Sequence, residues 1–168
     1  MKGINKLSRL KWILPLVAIM FVLGGCPYKS DIPLDNTGKK INPALLGVWE
    51  PRSNSSNEKY TITKDNETTY KISKTSKSTT TPTVYKGFIV DIEGEPFLNL
   101  QDQGEMSDKG YYIYKVELAA NGSKATLHAV TENITEKFST SEEFKAFVKK
   151  YKGLSFFFDK TTEEYLKD

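Results

Sequence analysis

The chain has 168 residues and a formal net charge of +3 at pH 7. Lys2, Lys6, Arg9 and Lys11 all precede the one cysteine, Cys26, and no acidic residue does, so the rest of the chain carries 20 basic against 21 acidic side chains. That near-neutral balance gives no argument for a nucleic-acid partner, and a single cysteine excludes an intramolecular disulfide.

The apolar run from Trp12 to Leu23 is too short to cross a bilayer as a helix, which needs about 20 residues, and Pro15 interrupts it. A basic head, a short apolar run and the small residues Gly24 and Gly25 make the pattern of a secretory signal. Cleavage between Gly25 and Cys26 makes 1–25 a signal peptide and leaves 143 residues, enough for one domain with a hydrophobic core. Leu23-Gly24-Gly25-Cys26 resembles the lipobox of bacterial lipoprotein precursors. The resemblance implies a diacylglyceryl group on the Cys26 sulfur, cleavage before that residue, and a protein held by covalent lipid on the exported side of the cell membrane or outer membrane. Each buried acyl methylene contributes about 0.8 kcal/mol, so two or three chains anchor durably. Pro27 stands where the usual inner-membrane retention signal places Asp, which leaves an outer-membrane destination open.

Residues 26–43 hold three prolines and no periodic apolar face, and read as the lipidated cysteine followed by a flexible tether. The globular domain is expected over 44–168. Ala44 to Pro51 reads as a first strand. Tyr60 and Ile62, then Tyr70 and Ile72, alternate with polar residues around an Asp65-Asn66-Glu67 turn, the pattern of a β-hairpin. Residues 75–82 read as a low-complexity loop. Thr83–Glu93 is the longest strand candidate, with Val84, Phe88, Val90 and Ile92 on one face and a bulge expected near Gly87. A turn at Gly94-Glu95-Pro96 leads into Phe97-Leu98-Asn99-Leu100, and 101–110 reads as a polar loop. Tyr112, Tyr114, Val116 and Leu118 share one face of the next strand. Asn121-Gly122 signals a hairpin into Ala125, Leu127 and Ala129.

The period then changes. Thr140 and Glu143 suggest a capping box ahead of Phe144, Phe147, Val148 and Tyr151, which fall on one helical face, with Gly153 at the C-terminal end. Leu154–Phe158 reads as a strand or an apolar tail, and Thr161–Lys167 as a short terminal helix. The fold class is therefore mainly β: an antiparallel meander or small lipocalin-like barrel of about seven strands, with one C-terminal amphipathic helix.

Gly47-Val48-Trp49-Glu50 resembles the opening of a lipocalin-type barrel, which implies a ligand cup and a late helix. That family also stacks a late-strand arginine on the tryptophan. The one arginine after Cys26 is Arg52, so the cation is expected to be missing. A wider resemblance, to a group of small uncharacterised bacterial lipoproteins, rests on Leu45 to Glu50, Thr63-Lys64-Asp65, Phe97 to Leu100 and Thr140 to Phe147. It implies fold and location and no activity.

No nucleophile–base pair, phosphate loop or calcium-loop spacing is present, so no catalytic residue, metal ligand or cofactor is assigned. His128 lies on the polar phase of its strand and reads as a surface residue. Asp91 and Glu93 share a strand face as paired carboxylates, with nothing else to support hydrolysis. The reading is a non-enzymatic, lipid-anchored envelope protein. Its domain is expected to bind a small apolar ligand in a cup lined by Phe88, Val90, Tyr112 and Tyr114 with Trp49 at the floor. The alternative is a protein-binding or inhibitor module that uses an aromatic face or the 75–82 and 101–110 loops on another envelope protein.

Overall fold

The computed structural model describes residues 27–168 apart from Asn54, Ser56, Glu105 and Asp108. The expected signal peptide, its cleavage site at Gly25 and the lipidation site at Cys26 lie outside the described residues. The elements are β1 (Lys29–Ser30), a 3-10 turn (Pro43–Leu45), β2 (Gly47–Pro51), β3 (Lys59–Lys64), β4 (Tyr70–Ser76), β5 (Thr79–Ile92), β6 (Glu95–Asp102), β7 (Tyr111–Leu118), β8 (Lys124–Ala129), helix α1 (Ser141–Tyr151) and β9 (Glu163–Lys167). β2 to β9 pair antiparallel in sequence order, and β9 returns to β2, so eight strands close into a small lipocalin-like barrel. β1 lies outside it, on the part of the β7 edge that β8 leaves free: Lys29 is opposite Tyr112 and Ser30 opposite Tyr111, whereas β8 takes Tyr114 to Leu118.

All seven expected strands are present, and two more were not foreseen. Thr161–Lys167 holds a strand, not a helix. Glu, Leu and Lys favour helix locally, but β2 and β8 each present an unpaired backbone edge, and β9 satisfies both. Trp49, Glu50 and Pro51 pair with one side of it, and Lys124 to Leu127 with the other. Residues 75–82 are likewise ordered: Lys77 and Ser78 turn a hairpin from β4 to β5. The irregular step falls between Lys74 and Ser76 and not at Gly87, where register is continuous. Gly87 serves a different end, since a Cβ there would meet Leu98 Cδ1 at 3.0 Å and Ile72 Cδ1 at 3.3 Å. The β5–β6 turn sits one residue earlier than expected, on Glu93 and Gly94, whose φ angles of 56° and 86° suit a tight hairpin.

The stretch expected to be a flexible tether is docked along the barrel instead, so the domain begins near Tyr28 and not at residue 44. Tyr28 N donates to Val130 O at 2.9 Å, Lys39 N to Ile89 O at 2.7 Å and Ile41 N to Glu67 O at 3.0 Å. Leu34 is fully buried, and its N–H donates to the buried Asn99 side chain at 2.7 Å. These contacts are single and irregularly spaced, so no periodic pattern announces them.

Strand alternation separates two apolar regions. Val90, Ile92, Phe97 and Ile113 point out of the barrel and join Phe144 and Val148 of α1, Phe157, Leu34 and Tyr28. Tyr70, Ile72, Ile89 and Val116 point inward with Tyr60, Ile62, Tyr85, Leu98, Leu100 and Leu127. The helix starts where expected: Thr140 Oγ1 accepts from Glu143 N at 3.2 Å, while Glu143 reaches back to Ser139 N at 3.0 Å, one residue before the usual capping-box partner. Gly153 follows the cap residue Lys152 but is not in the left-handed conformation. Lys152 bonds Glu95, and Lys149 lies 3.1 Å from Glu93, so the end of α1 is tied to the β5–β6 hairpin.

Candidate ligand cavity

The inward residues of the barrel enclose a cavity of about 410 Å³. Its lower wall is apolar: Leu45, Ile62, Ile72, Ile89, Leu98, Leu100, Val116 and Leu127. The 3-10 turn closes this end. Asn42 Oδ1 caps the turn by accepting from Ala44 N at 3.0 Å, and Ile41, Leu45 and Leu46 lie against the interior cluster. Trp49 is 2 % exposed, and its Nε1 donates to Leu45 O at 2.9 Å. Above the Trp49 ring stands Lys167 Nζ, 5.4 Å from the centroid, donating also to Ala44 O at 2.8 Å. The cation expected to be missing is therefore present, supplied by a lysine on the last strand.

The opposite end is polar. Tyr60, Tyr85, Tyr112, Tyr114 and Tyr165 line it with Lys74, Asp102 and Glu163. A second, more open depression, bounded by Arg52, Glu58 and Thr162, shares Tyr60, Lys74, Glu163 and Tyr165 with the cavity and marks this end as the mouth. Tyr60 and Tyr165 meet edge to face at 5.3 Å. Tyr60 donates to Glu58 at 3.0 Å and Tyr165 to Glu163 at 2.6 Å. Lys74 Nζ lies 2.8 Å from Glu58 and 5.6 Å from the Tyr60 ring centroid. The Tyr85 and Tyr114 hydroxyls make no hydrogen bond with another described residue, so their donors are available to whatever enters the cup.

Burial disfavours ionised phenolate, and it dominates at this rim. It pushes Tyr60 up to about 12, despite the opposing charge of Lys74, and raises Tyr114 and Tyr165 as well. These phenols are thus neutral donors at physiological pH. The arrangement suits a ligand with an apolar body toward Trp49 and a polar end among the hydroxyls.

Of the lining residues expected from sequence, the structure brings Trp49, Tyr112 and Tyr114 together in the cavity. Phe88 and Val90 do not line it. They lie on the outer face of β5: Val90 belongs to the core under α1, and Phe88 sits against that core with its ring 6.3 Å from Tyr111. The cause is coverage of the sheet from outside, which makes the more apolar face of β5 point away from the lumen, while Tyr85 and Ile89 point in. Sequence reasoning missed Tyr60, Tyr85, Lys74 and Tyr165. The alternation in β3 and β4 carried a signal for Tyr60 and Lys74. Nothing local marked Tyr165, which reaches the cavity only because β9 closes the barrel.

His128 is more covered than a surface residue. Its side chain is 23 % exposed, with Nε2 3.4 Å from Glu117 and the ring 6.0 Å from Phe158. Asp91 and Glu93 enter separate ion pairs, Asp91 with Lys39 at 2.9 Å and Glu93 with Lys149. Among the described residues, no group of three or more His, Cys, Asp or Glu side chains is placed to hold a metal ion, and no helix is long and apolar enough to cross a membrane. Compared with protein-family models, with curated proteins and with solved structures, the chain matches none of them.

Proposed function

We propose that this is a lipid-anchored cell-envelope protein whose barrel binds a small, largely apolar ligand without chemical conversion. The observation that carries the reading is the 410 Å³ cavity, floored by aliphatic side chains and Trp49 and rimmed by tyrosine hydroxyls. That volume falls within the range of roughly 300–1,000 Å³ common to small-molecule sites, and the few polar groups are gathered at one end, where they would orient a ligand. Attachment through Cys26 rests on the Leu23-Gly24-Gly25-Cys26 pattern and its resemblance to the lipobox.

Two measurements test the two halves. Native mass spectrometry after mild purification should return bound mass in addition to the protein, and titration with N-phenyl-1-naphthylamine should give saturable fluorescence enhancement. Leu98→Trp, which fills the lumen, should abolish that enhancement, while Leu166→Thr on the outer face should not. Saturable binding that survives Leu98→Trp in a folded protein counts against the cup. Metabolic labelling with radioactive palmitate should mark the wild-type chain and not Cys26→Ala; equal labelling of both rejects the anchor.

A protein-binding role is the second reading. Its support is the pair of exposed apolar residues that follow α1, Leu154 at 40 % and Phe156 at 64 % exposure. Cross-linking from position 156 in intact membranes should capture a discrete partner if this surface is used, and no adduct argues against it.

A further inference from the structure

The chain enters the domain at the mouth of the cup. Pro27 is itself a lining residue of the cavity, two residues before the Lys29–Tyr112 pair. The next residues are held at once. Tyr28 N donates to Val130 O at 2.9 Å, its hydroxyl donates to Glu136 O at 3.2 Å, and Lys29 and Ser30 pair with Tyr112 and Tyr111. Lys29 Nζ lies 4.9 Å from the Tyr112 ring centroid, on the same rim. Consecutive Cα atoms are about 3.8 Å apart. Pro27, the first described residue, is bonded directly to the expected lipidation site, so one peptide unit would join lipid on Cys26 to the lining of the cavity.

We propose that the cup opens onto the lipid surface and exchanges its ligand with the bilayer. This rests on the lipid-anchored reading and adds an orientation to it. A free tether of 17 residues would have an end-to-end distance of roughly 20–25 Å and would leave the barrel free to tumble above the membrane. The docked segment removes that freedom, because lipid on Cys26 and the first paired residues are separated by one proline. The two ends of the barrel also differ in the required sense. The far end is shut by the 3-10 turn, Trp49 and Lys167. The near end is open and carries, on the loop from β6 to β7, a fully exposed methionine, Met106, whose apolar side chain a headgroup layer accommodates. An apolar ligand leaving the bilayer would then reach the lumen without crossing water.

The test uses the full chain, processed in bacterial cells and reconstituted in phosphatidylcholine vesicles doped with a nitroxide-headgroup lipid. Lipidation consumes the Cys26 thiol, so single reporter cysteines can carry a fluorophore: Ser78→Cys and Met106→Cys at the mouth, Glu67→Cys at the shut end. Quenching should be several-fold stronger at the two mouth positions. A spacer of about ten Gly/Ser residues between Cys26 and Pro27, spanning roughly 15–20 Å, should remove the difference while leaving palmitate incorporation intact. Equal quenching at both ends in a palmitate-labelled protein overturns the orientation and leaves the anchor standing; a mouth preference that the spacer does not change overturns the docked segment as its cause. Absence of palmitate label overturns both.

Discussion

Lys167 Nζ and the Trp49 ring, 118 residues apart in sequence, meet at 5.4 Å at the shut end of the barrel. The ammonium also donates to Ala44 O at 2.8 Å, so one side chain joins the last strand, the first barrel strand and the 3-10 turn that caps the lumen. Replacing Lys167 by Met removes both the cation–π contact and a charged hydrogen bond. It should cost about 1–3 kcal/mol in urea unfolding, while Arg at this position should retain most of that. Trp49 is the only tryptophan after Cys26, so its emission reports the change directly. Unaltered stability and emission in Lys167→Met would show the contact to be idle.

Barrel closure by β9 can be separated from mere docking of a tail. Leu166 is paired to Glu50 on one side and to Lys124 on the other, and its side chain is 45 % exposed. Leu166→Pro should therefore act through the backbone, costing about 3 kcal/mol or more, or abolishing the cooperative transition, with Leu166→Thr nearly neutral. If Pro is tolerated as well as Thr under chemical denaturation, β9 does not close the sheet.

The strap over the outer face hangs on Leu34. Leu34→Ala leaves a void beneath a fully buried side chain and should cost about 2–5 kcal/mol. Asn99→Leu removes the acceptor for Leu34 N and should cost about 1–3 kcal/mol. Both should expose residues 27–42 to limited proteolysis before the barrel itself unfolds, which a time course read by mass spectrometry would show.

The rim tyrosines set the alkaline limit. Tyr60 is raised to about 12 by burial, against an unfolded value near 10, so the folded state holds its proton more tightly. The associated stability is fully present below pH 10 and is lost as pH rises through 12. Spectrophotometric titration should show a delayed class of phenols that ionise together with unfolding, and Tyr60→Phe should move the alkaline midpoint upward. A titration with every phenol near 10 would contradict the buried rim.

At the acid end the sign reverses. Hydrogen bonding to Lys115, then to Lys152, lowers Glu95, and the bond to Lys145 lowers Asp35. Stability from these carboxylates is present above their unfolded values, near 4, and is lost as pH falls through the depressed ones. Glu95 ties the end of α1 to β6 and Asp35 ties α1 to the strap, so the helix should detach first. Glu95→Gln should flatten the acid limb of the stability curve, measured by urea midpoints between pH 3 and 6; an unchanged limb rules these pairs out.

Some of this fold was legible residue by residue. Period-two alternation at Tyr60-x-Ile62 and Tyr112-x-Tyr114-x-Val116, turn chemistry at Asn121-Gly122 and a 3.6-residue period from Phe144 to Tyr151 are local signals. They fixed seven strands, two hairpins and the helix start. Alternation also says which residues share a face. It is silent on which face is inside, and so Val90 and Phe88 were read into a lumen that belongs to Tyr85 and Ile89.

By itself, then, the sequence determined the β class, the position of the helix, the tryptophan of the first barrel strand and two of the five rim tyrosines. Tertiary structure alone decided the rest. Glu163–Lys167 became a strand because two open edges required partners, and residues 28–41 became a strap because Leu34 and Asn99 meet on the outer face of the barrel. The mouth came to lie beside Pro27 because β1 pairs with the first residues of β7. Each depends on hydrogen bonds between residues far apart in the chain, whose partners exist only once the sheet has closed.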